Sequence, residues 1–297
     1  PLVRERGIQT VITTGPPHSV HLIGLALKKK TNVRWVADFR DPWTGIGYHS
    51  KLHLSSWAAR RHKQLEGEVL NTADHILATS PSTAMKLQNK TNQVVTVLTN
   101  GYEEGLKATS LDKRFSIAHI GSLLSARNPT ILWEVLAELN EEIEGFQNDL
   151  ELVFAGTLSE EVLSEITRHG LAKQIKNLGY LPHKTIRKLQ AQSQLLLLVE
   201  IDSPATKEIL PGKLFEYMAS YRPILAIGPE NWDATNIISK TATGACFLYS
   251  EKTALKNQMA KWYAAYKEGK LGVSSEGVEA YSRENLTHEL AKRLRCE

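Results

Sequence analysis

The 297-residue sequence is poor in cysteine, with only Cys246 and Cys296. Two thiols fifty positions apart build neither a disulfide scaffold nor a metal-thiolate cluster, and they fit a reducing compartment. Long apolar runs are missing too: the longest, Leu195 to Val199, is far below the roughly 20 residues that span a bilayer. Low-complexity tracts, solenoid-period repeats and a secretory signal pattern are absent. No charge sign dominates. The 36 Lys and Arg against 32 Asp and Glu leave +4, too mild a surplus to imply nucleic acid, for which no motif is present either. What remains is ordinary globular composition, 42% hydrophobic and 23% charged with 19 Gly and 11 Pro, which excludes disordered, collagen-like and coiled-coil classes. The length suits about two domains of roughly 150 residues each.

Charge is unevenly placed. Residues 1–104 hold 13 Lys and Arg, 8 Asp and Glu and six of the ten histidines, whereas residues 105–297 hold 23 basic against 24 acidic groups. Strand-length apolar runs alternate with helical patterns throughout, the mark of βαβ units and parallel sheets in an α/β fold. Expected strands in the first part are Val11 to Thr14, Val33 to Phe39, His75 to Thr79 and Val94 to Thr99. Helices are expected at His18 to Lys30, Lys51 to Asn71 and Pro81 to Asn89, the last capped by Ser80 with Pro81 in its first turn. After a polar linker at Tyr102 to Arg114, six more strands follow: Phe115 to Gly121, Glu151 to Gly156, Ile175 to Leu181, Gln194 to Glu200, Pro223 to Gly228 and Ala245 to Ser250. Two final helices are expected at Lys252 to Lys267 and Ser275 to Leu294. Six strands match one complete doubly wound domain. The first part has four, so we expect a domain lacking about two βα units at its start.

Ligands of open α/β sheets bind beyond the carboxyl ends of the strands. After the strand ending at Glu200, a polar loop turns at Pro211-Gly212 and opens a helix with the apolar face Leu214, Phe215, Met218 and Ala219. Free backbone N–H groups at Gly212 to Leu214 and the ammonium of Lys213 suit a phosphate. Glu216, one turn on, can accept hydrogen bonds from a ribose, and Glu208 from a sugar. Glu216 has a plainer reading as a first-turn acid facing the helix dipole. In the first part, Asp38-Phe39-Arg40-Asp41-Pro42-Trp43 leaves a buried-looking strand with three charges in four residues, and an Arg40 to Asp41 ion pair is the purely structural alternative. His18 follows a Gly-Pro-Pro turn near a helix start, where packing or capping is the plainer role. Lys28 to Lys30 favour a helix C-terminus. Arg60, Arg61 and Lys63, one turn from Trp57, form either a solvated face or a docking patch for anionic lipid.

The eight-residue separation of Glu208 and Glu216, followed by a short helix and the Pro223-Ile224-Leu225-Ala226 strand, resembles the donor-site motif of family-four retaining glycosyltransferases of the GT-B fold. Gly121-Ser122-Leu123 through Arg127-Asn128-Pro129 is similar to that family's diphosphate loop. Val153 to Gly156, Asn177 to Pro182 and Asn100-Gly101-Tyr102 resemble three further landmarks in the family's order. Two positions depart from the pattern: Ser122 stands where the family commonly has Arg, and Arg40 where many members have His. The Gly-rich acceptor loop has no counterpart.

The resemblance implies two Rossmann-like domains facing a cleft: an incomplete acceptor domain at 1–104, a donor domain at 112–274, and a C-terminal helix at 275–297 crossing back. It implies transfer of a hexose from a nucleoside diphosphate sugar to a hydroxyl of a glycan or lipid-linked acceptor, with retention, without cofactor or metal. Glu208, Arg127 and Lys213 would be catalytic. Glu216, Gly121, Ser122, Gly156, Tyr180, Leu181, Pro211, Gly212 and Leu214 would hold the donor, and His18, Asp38, Arg40 and Asp41 would face the acceptor side. A cytoplasmic enzyme with peripheral contact to anionic membrane is expected. A nucleotide-sugar 2-epimerase and a non-catalytic nucleotide-sugar-binding fragment remain as alternatives.

Overall fold

A computed structural model describes residues 1–45, 52–106 and 110–295. Lys51, part of the expected linker (107–109) and Cys296 lie outside the described residues. The chain divides into two compact units: Pro1–Asn100 with Glu208–Leu210, and Gly101–Lys207 with Pro211–Arg295.

In the first unit, helix α1 (Leu2–Glu5) precedes strand β1 (Thr10–Gly15), α2 (Ser19–Lys30), β2 (Arg34–Phe39), α3 (Ser56–Thr72), β3 (His75–Ala78), α4 (Pro81–Gln88) and β4 (Val95–Val97). The strands form one parallel sheet in the order β1-β2-β3-β4. Trp35, Val36 and Ala37 are fully buried in succession, as a parallel strand covered on both faces requires. Ser80 caps α4 as expected, its hydroxyl accepting from the Thr83 N–H at 3.2 Å. Lys28 does more than offset a dipole: its ammonium donates to the Val33 carbonyl at 3.1 Å and to Asp74 at 2.7 Å. Asp74 in turn accepts from the Trp35 N–H at 2.7 Å, fixing the start of β2.

The second unit contains β5 (Phe115–Ile120), α5 (Thr130–Glu142), α6 (Phe146–Asp149), β6 (Leu150–Ala155), α7 (Glu160–Arg168), β7 (Ile175–Gly179), α8 (His183–Gln192), β8 (Leu195–Val199), α9 (Gly212–Met218), β9 (Ile224–Gly228), α10 (Asp233–Thr241), β10 (Gly244–Leu248), α11 (Lys252–Lys267) and α12 (Arg283–Arg295). Its six parallel strands lie in the order β10-β9-β8-β5-β6-β7. Counted from the start of the unit this is the doubly wound order 3-2-1-4-5-6, whose direction reverses between β5 and β8. A core including Phe115, Trp133, Leu136, Phe146, Phe154, Leu197 and Met259 covers the sheet.

Three expected elements shift. Helix α3 starts at Ser56 rather than 51, because Ser55 caps it, its hydroxyl accepting from the Ala58 N–H at 3.2 Å. The last helix starts at Arg283 rather than 275, because Gly277 turns the chain at φ +64° and a single 3₁₀ turn, Val278–Tyr281, follows. Tyr102 bridges Ser282 in parallel, and its carbonyl accepts from the Arg283 N–H at 2.8 Å. The expected strand to Leu181 stops at Gly179, where φ is +61°.

Candidate active site

The crevice at the β5/β8 reversal is built by glycines that let loops approach. Gly121, at φ +102°, ends β5 and donates its N–H to the Ala155 carbonyl at 2.7 Å. Gly156, at φ +130°, leaves β6 so close that a side-chain carbon there would lie 2.6 Å from the Gly121 oxygen.

Onto this turn α9 aims Lys213, whose ammonium donates to the Ile120 carbonyl at 3.2 Å and sits 3.2 Å from His119 Nε2. The Nδ1 of His119 lies 3.0 Å from the Leu197 carbonyl, which only accepts, so Nδ1 carries the proton and Nε2 offers its lone pair to the ammonium. Complete burial, then the neighbouring Lys213 charge, holds the His119 pKa at about 3 and keeps the ring neutral. Burial, then the Arg127 charge, brings Lys213 down from 10.5 to about 8, while Glu200 acts in the opposite direction. Pro211 precedes α9 without a capping side chain; the Leu214 N–H, expected to be free, donates instead to the Pro211 carbonyl at 2.9 Å, which leaves the N–H groups of Gly212 and Lys213 at the helix start.

Arg127, in the 3₁₀ turn Ser125–Arg127, forks onto Glu200 with Nε 3.2 Å from Oε1 and the terminal nitrogen 3.1 Å from Oε1 and 3.4 Å from Oε2. The Glu200 side chain is fully buried. It also accepts the Ile201 N–H at 2.8 Å, while the Tyr249 hydroxyl donates to the Glu200 carbonyl at 2.9 Å. Sequence reasoning assigned no role to Glu200, His119 or Tyr217, whose hydroxyl accepts the Ile120 N–H at 2.9 Å. For Glu200 the signal lay in composition, a lone acid closing the apolar run Leu195–Val199, whereas His119 shares its strand with Ser116 and Tyr217 follows Glu216, so neither stood out.

Of the expected donor-side residues, the second unit thus assembles Gly121, Gly156, Arg127, Gly212 and Lys213. Leu214 has its side chain wholly buried and its N–H on the Pro211 carbonyl. Ser122 is exposed, Leu181 is half-buried, and Tyr180, 92% exposed, projects into solvent. Glu216 lines a pocket of about 100 Å³ with Tyr102, His183, Arg187 and Arg283. Its Oε2 accepts from Gln190 at 3.0 Å, and its side chain is 41% exposed.

Glu208 belongs to the first unit, where its nearly buried carboxylate is ion-paired to Lys86 at 2.7 Å. There the expected acceptor-side residues fall at the ends of β1 and β2. His18 stacks on Trp43 at 5.3 Å between ring centres, which is a packing role, and burial lowers its pKa although Asp41 opposes this. Asp38 bonds to Thr14, and burial raises its carboxyl pKa. Arg40 and Asp41 are exposed. Beneath them Glu66, buried, accepts from Thr44 and pairs with Lys90 at 2.9 Å.

A family model described as glycosyl transferases group 1 matches residues 103–270. Among solved structures, HepE from Anabaena in complex with UDP is 16% identical, with a TM-score of 0.73 over 100% of this chain and 81% of that one. Sucrose-phosphate synthase from Thermosynechococcus elongatus is 15% identical, with a TM-score of 0.66 over 99% of this chain and 74% of that one. The pneumococcal O-GlcNAc transferase GtfA, in complex with UDP and GlcNAc, is 14% identical, with a TM-score of 0.64 over 99% and 58%. No curated protein sequence matches the chain.

Proposed function

The chain belongs to the glycosyl transferases group 1 family with the GT-B fold, and from that premise we propose a specific reaction. A hexose moves from a nucleoside diphosphate sugar to a hydroxyl of a saccharide or lipid-linked acceptor, with retention at the anomeric carbon. One observation carries this reading: the ammonium of Lys213 and the guanidinium of Arg127 converge at the strand-order reversal of a doubly wound sheet, beside an uncapped helix start. That is the chemistry of a diphosphate site. UDP in the complexes of HepE and GtfA supports a uridine donor as the first to test.

The chemistry follows from charge. As the glycosidic C–O bond breaks, negative charge grows on the leaving diphosphate, and cations already in place stabilise it more in the transition state than in the ground state. The leaving phosphate oxygen then takes the acceptor's proton on the face from which it departs, which gives retention. Arg127 and Lys213 take the part a divalent metal plays elsewhere, so turnover is expected to survive EDTA. Glu216, beside its pocket, holds the ribose hydroxyls. Titration calorimetry with UDP and GDP against wild type and Glu216→Ala tests this placement: a loss of about tenfold or more in affinity is expected for one removed charge-assisted hydrogen bond. Equal affinity of the two proteins for every nucleotide would remove Glu216 from the site.

The depressed Lys213 pKa sets a pH limit. The group is cationic below about 8 in the free protein, and a bound diphosphate raises its pKa in the complex. Affinity for UDP is therefore full near pH 7 and falls by up to about tenfold per unit above pH 8, until the pKa of the complex is passed. In Lys213→Arg, which stays protonated, the decline is expected to vanish. An unchanged alkaline slope in that variant would assign the titration elsewhere.

No described helix is long and apolar enough to cross a membrane. On α3 of the first unit, Arg60, Arg61 and Lys63 are exposed, as is Trp57 at 72%. We expect this face to meet anionic lipid, each basic residue adding about 1 kcal/mol. Co-sedimentation with vesicles containing phosphatidylglycerol, lost in an Arg60→Glu, Arg61→Glu variant, is the expected outcome. Equal sedimentation of both proteins would leave the face as ordinary solvated surface.

A further inference from the structure

Among the described residues, Glu200 is the one buried carboxylate at the cationic crevice that the proposed chemistry does not use. Glu200 holds the Arg127 fork in place and favours the charged form of Lys213, yet its negative charge also opposes a bound phosphate, the more so the more charge that phosphate carries. Its side chain is fully buried, yet it is held by the Arg127 fork and the Ile201 N–H. It acts on Lys213 as well as on Arg127. With Arg127 and Lys213 charged, the three groups sum to one positive charge, less than either diphosphate ligand carries.

The two ligands differ in charge. In a nucleoside diphosphate sugar both phosphates are diesters, one charge each. Once the sugar has left, the terminal phosphate is a monoester whose second proton is lost near pH 6, so the product carries a third charge. A fixed carboxylate beneath the cations opposes that added charge. Resting on the diphosphate reading above, we propose that Glu200 is a specificity-determining residue that weakens retention of the nucleoside diphosphate product relative to the nucleotide-sugar donor, and so speeds product release. In many enzymes product release, not chemistry, limits turnover.

The variant Glu200→Gln keeps the shape and the acceptor oxygen for Ile201 but removes the charge. Titration calorimetry at pH 7, where Lys213 is protonated and the product's second proton is already lost, with UDP and UDP-glucose, repeated with GDP and ADP and their glucose esters, reads the ratio of the two dissociation constants. In Glu200→Gln, affinity for the free diphosphate is expected to tighten by about tenfold more than affinity for its glucose ester, the scale of one unit charge a few ångströms away at intermediate dielectric. Glu200→Asp, which retains the charge, is expected to keep the wild-type ratio, and it serves if the Gln variant fails to fold. A structural role alone would weaken both ligands together. An equal change for both ligands in Glu200→Gln, or a shifted ratio in Glu200→Asp, overturns the proposal while leaving the diphosphate site intact. Failure of wild type to bind any of these nucleotides overturns both.

Discussion

Replacing Lys213 with methionine is expected to cut turnover by about 10³-fold, the loss typical of removing one preorganised charge from a transition-state oxyanion, without destabilising the ligand-free protein. The two effects share one cause. Burial has brought the ammonium from 10.5 to about 8, so holding it charged at pH 7 costs about 3 kcal/mol at 1.36 kcal/mol per unit. Because the folded pKa lies below the unfolded one, this penalty is present in full at neutral pH and disappears as pH rises from about 8 through 10.5. Against it stand two hydrogen bonds, to the Ile120 carbonyl and His119 Nε2, worth about 1 kcal/mol each. The methionine also leaves the buried acceptors His119 Nε2 and Ile120 carbonyl unpaired, so the terms roughly cancel and the net change expected for Lys213→Met at pH 7 is within about 1 kcal/mol. Chemical denaturation and a transferase assay on the same sample check both halves. A variant that is inactive because it has melted would show that the lysine holds the fold rather than the substrate.

The second large effect is at Gly156. A methyl group there would lie 2.6 Å from the Gly121 oxygen and 2.7 Å from its carbonyl carbon, both backbone atoms that cannot swing aside, at a φ of +130°. Backbone strain of this kind costs about 1–3 kcal/mol before the clash is counted. Gly156→Ala is therefore expected to lose about 3 kcal/mol, or about 6–12 °C in Tm for a unit of this size. Because the clash falls on the turn that meets Lys213, nucleotide affinity should drop as well. Gly170→Ala is the control: its φ is +75° but no atom lies within 4 Å of the added carbon, so it carries strain without the clash. Indistinguishable melting curves for the two variants would mean that the approach of the β5 and β6 loops is not tight.

How far the chain could be read in advance depended on whether a feature was local. The central strands announced themselves because a parallel strand covered on both faces is a short uninterrupted apolar run, as in Leu195–Val199 and Ile224–Gly228, whereas the edge strands Thr10–Gly15 and Ile175–Gly179 are partly exposed and carry weaker patterns. Ser80 and Pro81 marked a helix start by side chains that act within three residues. Lys213 and Gly212 were legible for the same reason, since a turn opening a helix after a strand is a local pattern. The partners of these groups were not. The neutral acceptor His119 lies 94 residues from Lys213, and the counter-ion Glu200 lies 73 from Arg127; only the β5/β8 pairing brings them together. The surroundings of Glu208 were equally illegible, because spacing to Glu216 says nothing of what else is near. Its partner, Lys86, lies on α4 in the first unit. The last helix began late because a glycine at positive φ breaks a periodicity that looked continuous.

The placement of the donor diphosphate on Arg127 and Lys213 is open to one direct observation, a crystal structure of the protein with UDP. The terminal phosphate is expected within hydrogen-bonding distance of the Lys213 ammonium and the Arg127 guanidinium, at the start of α9, with the ribose on Glu216. UDP bound with its phosphates away from both cations would contradict that placement.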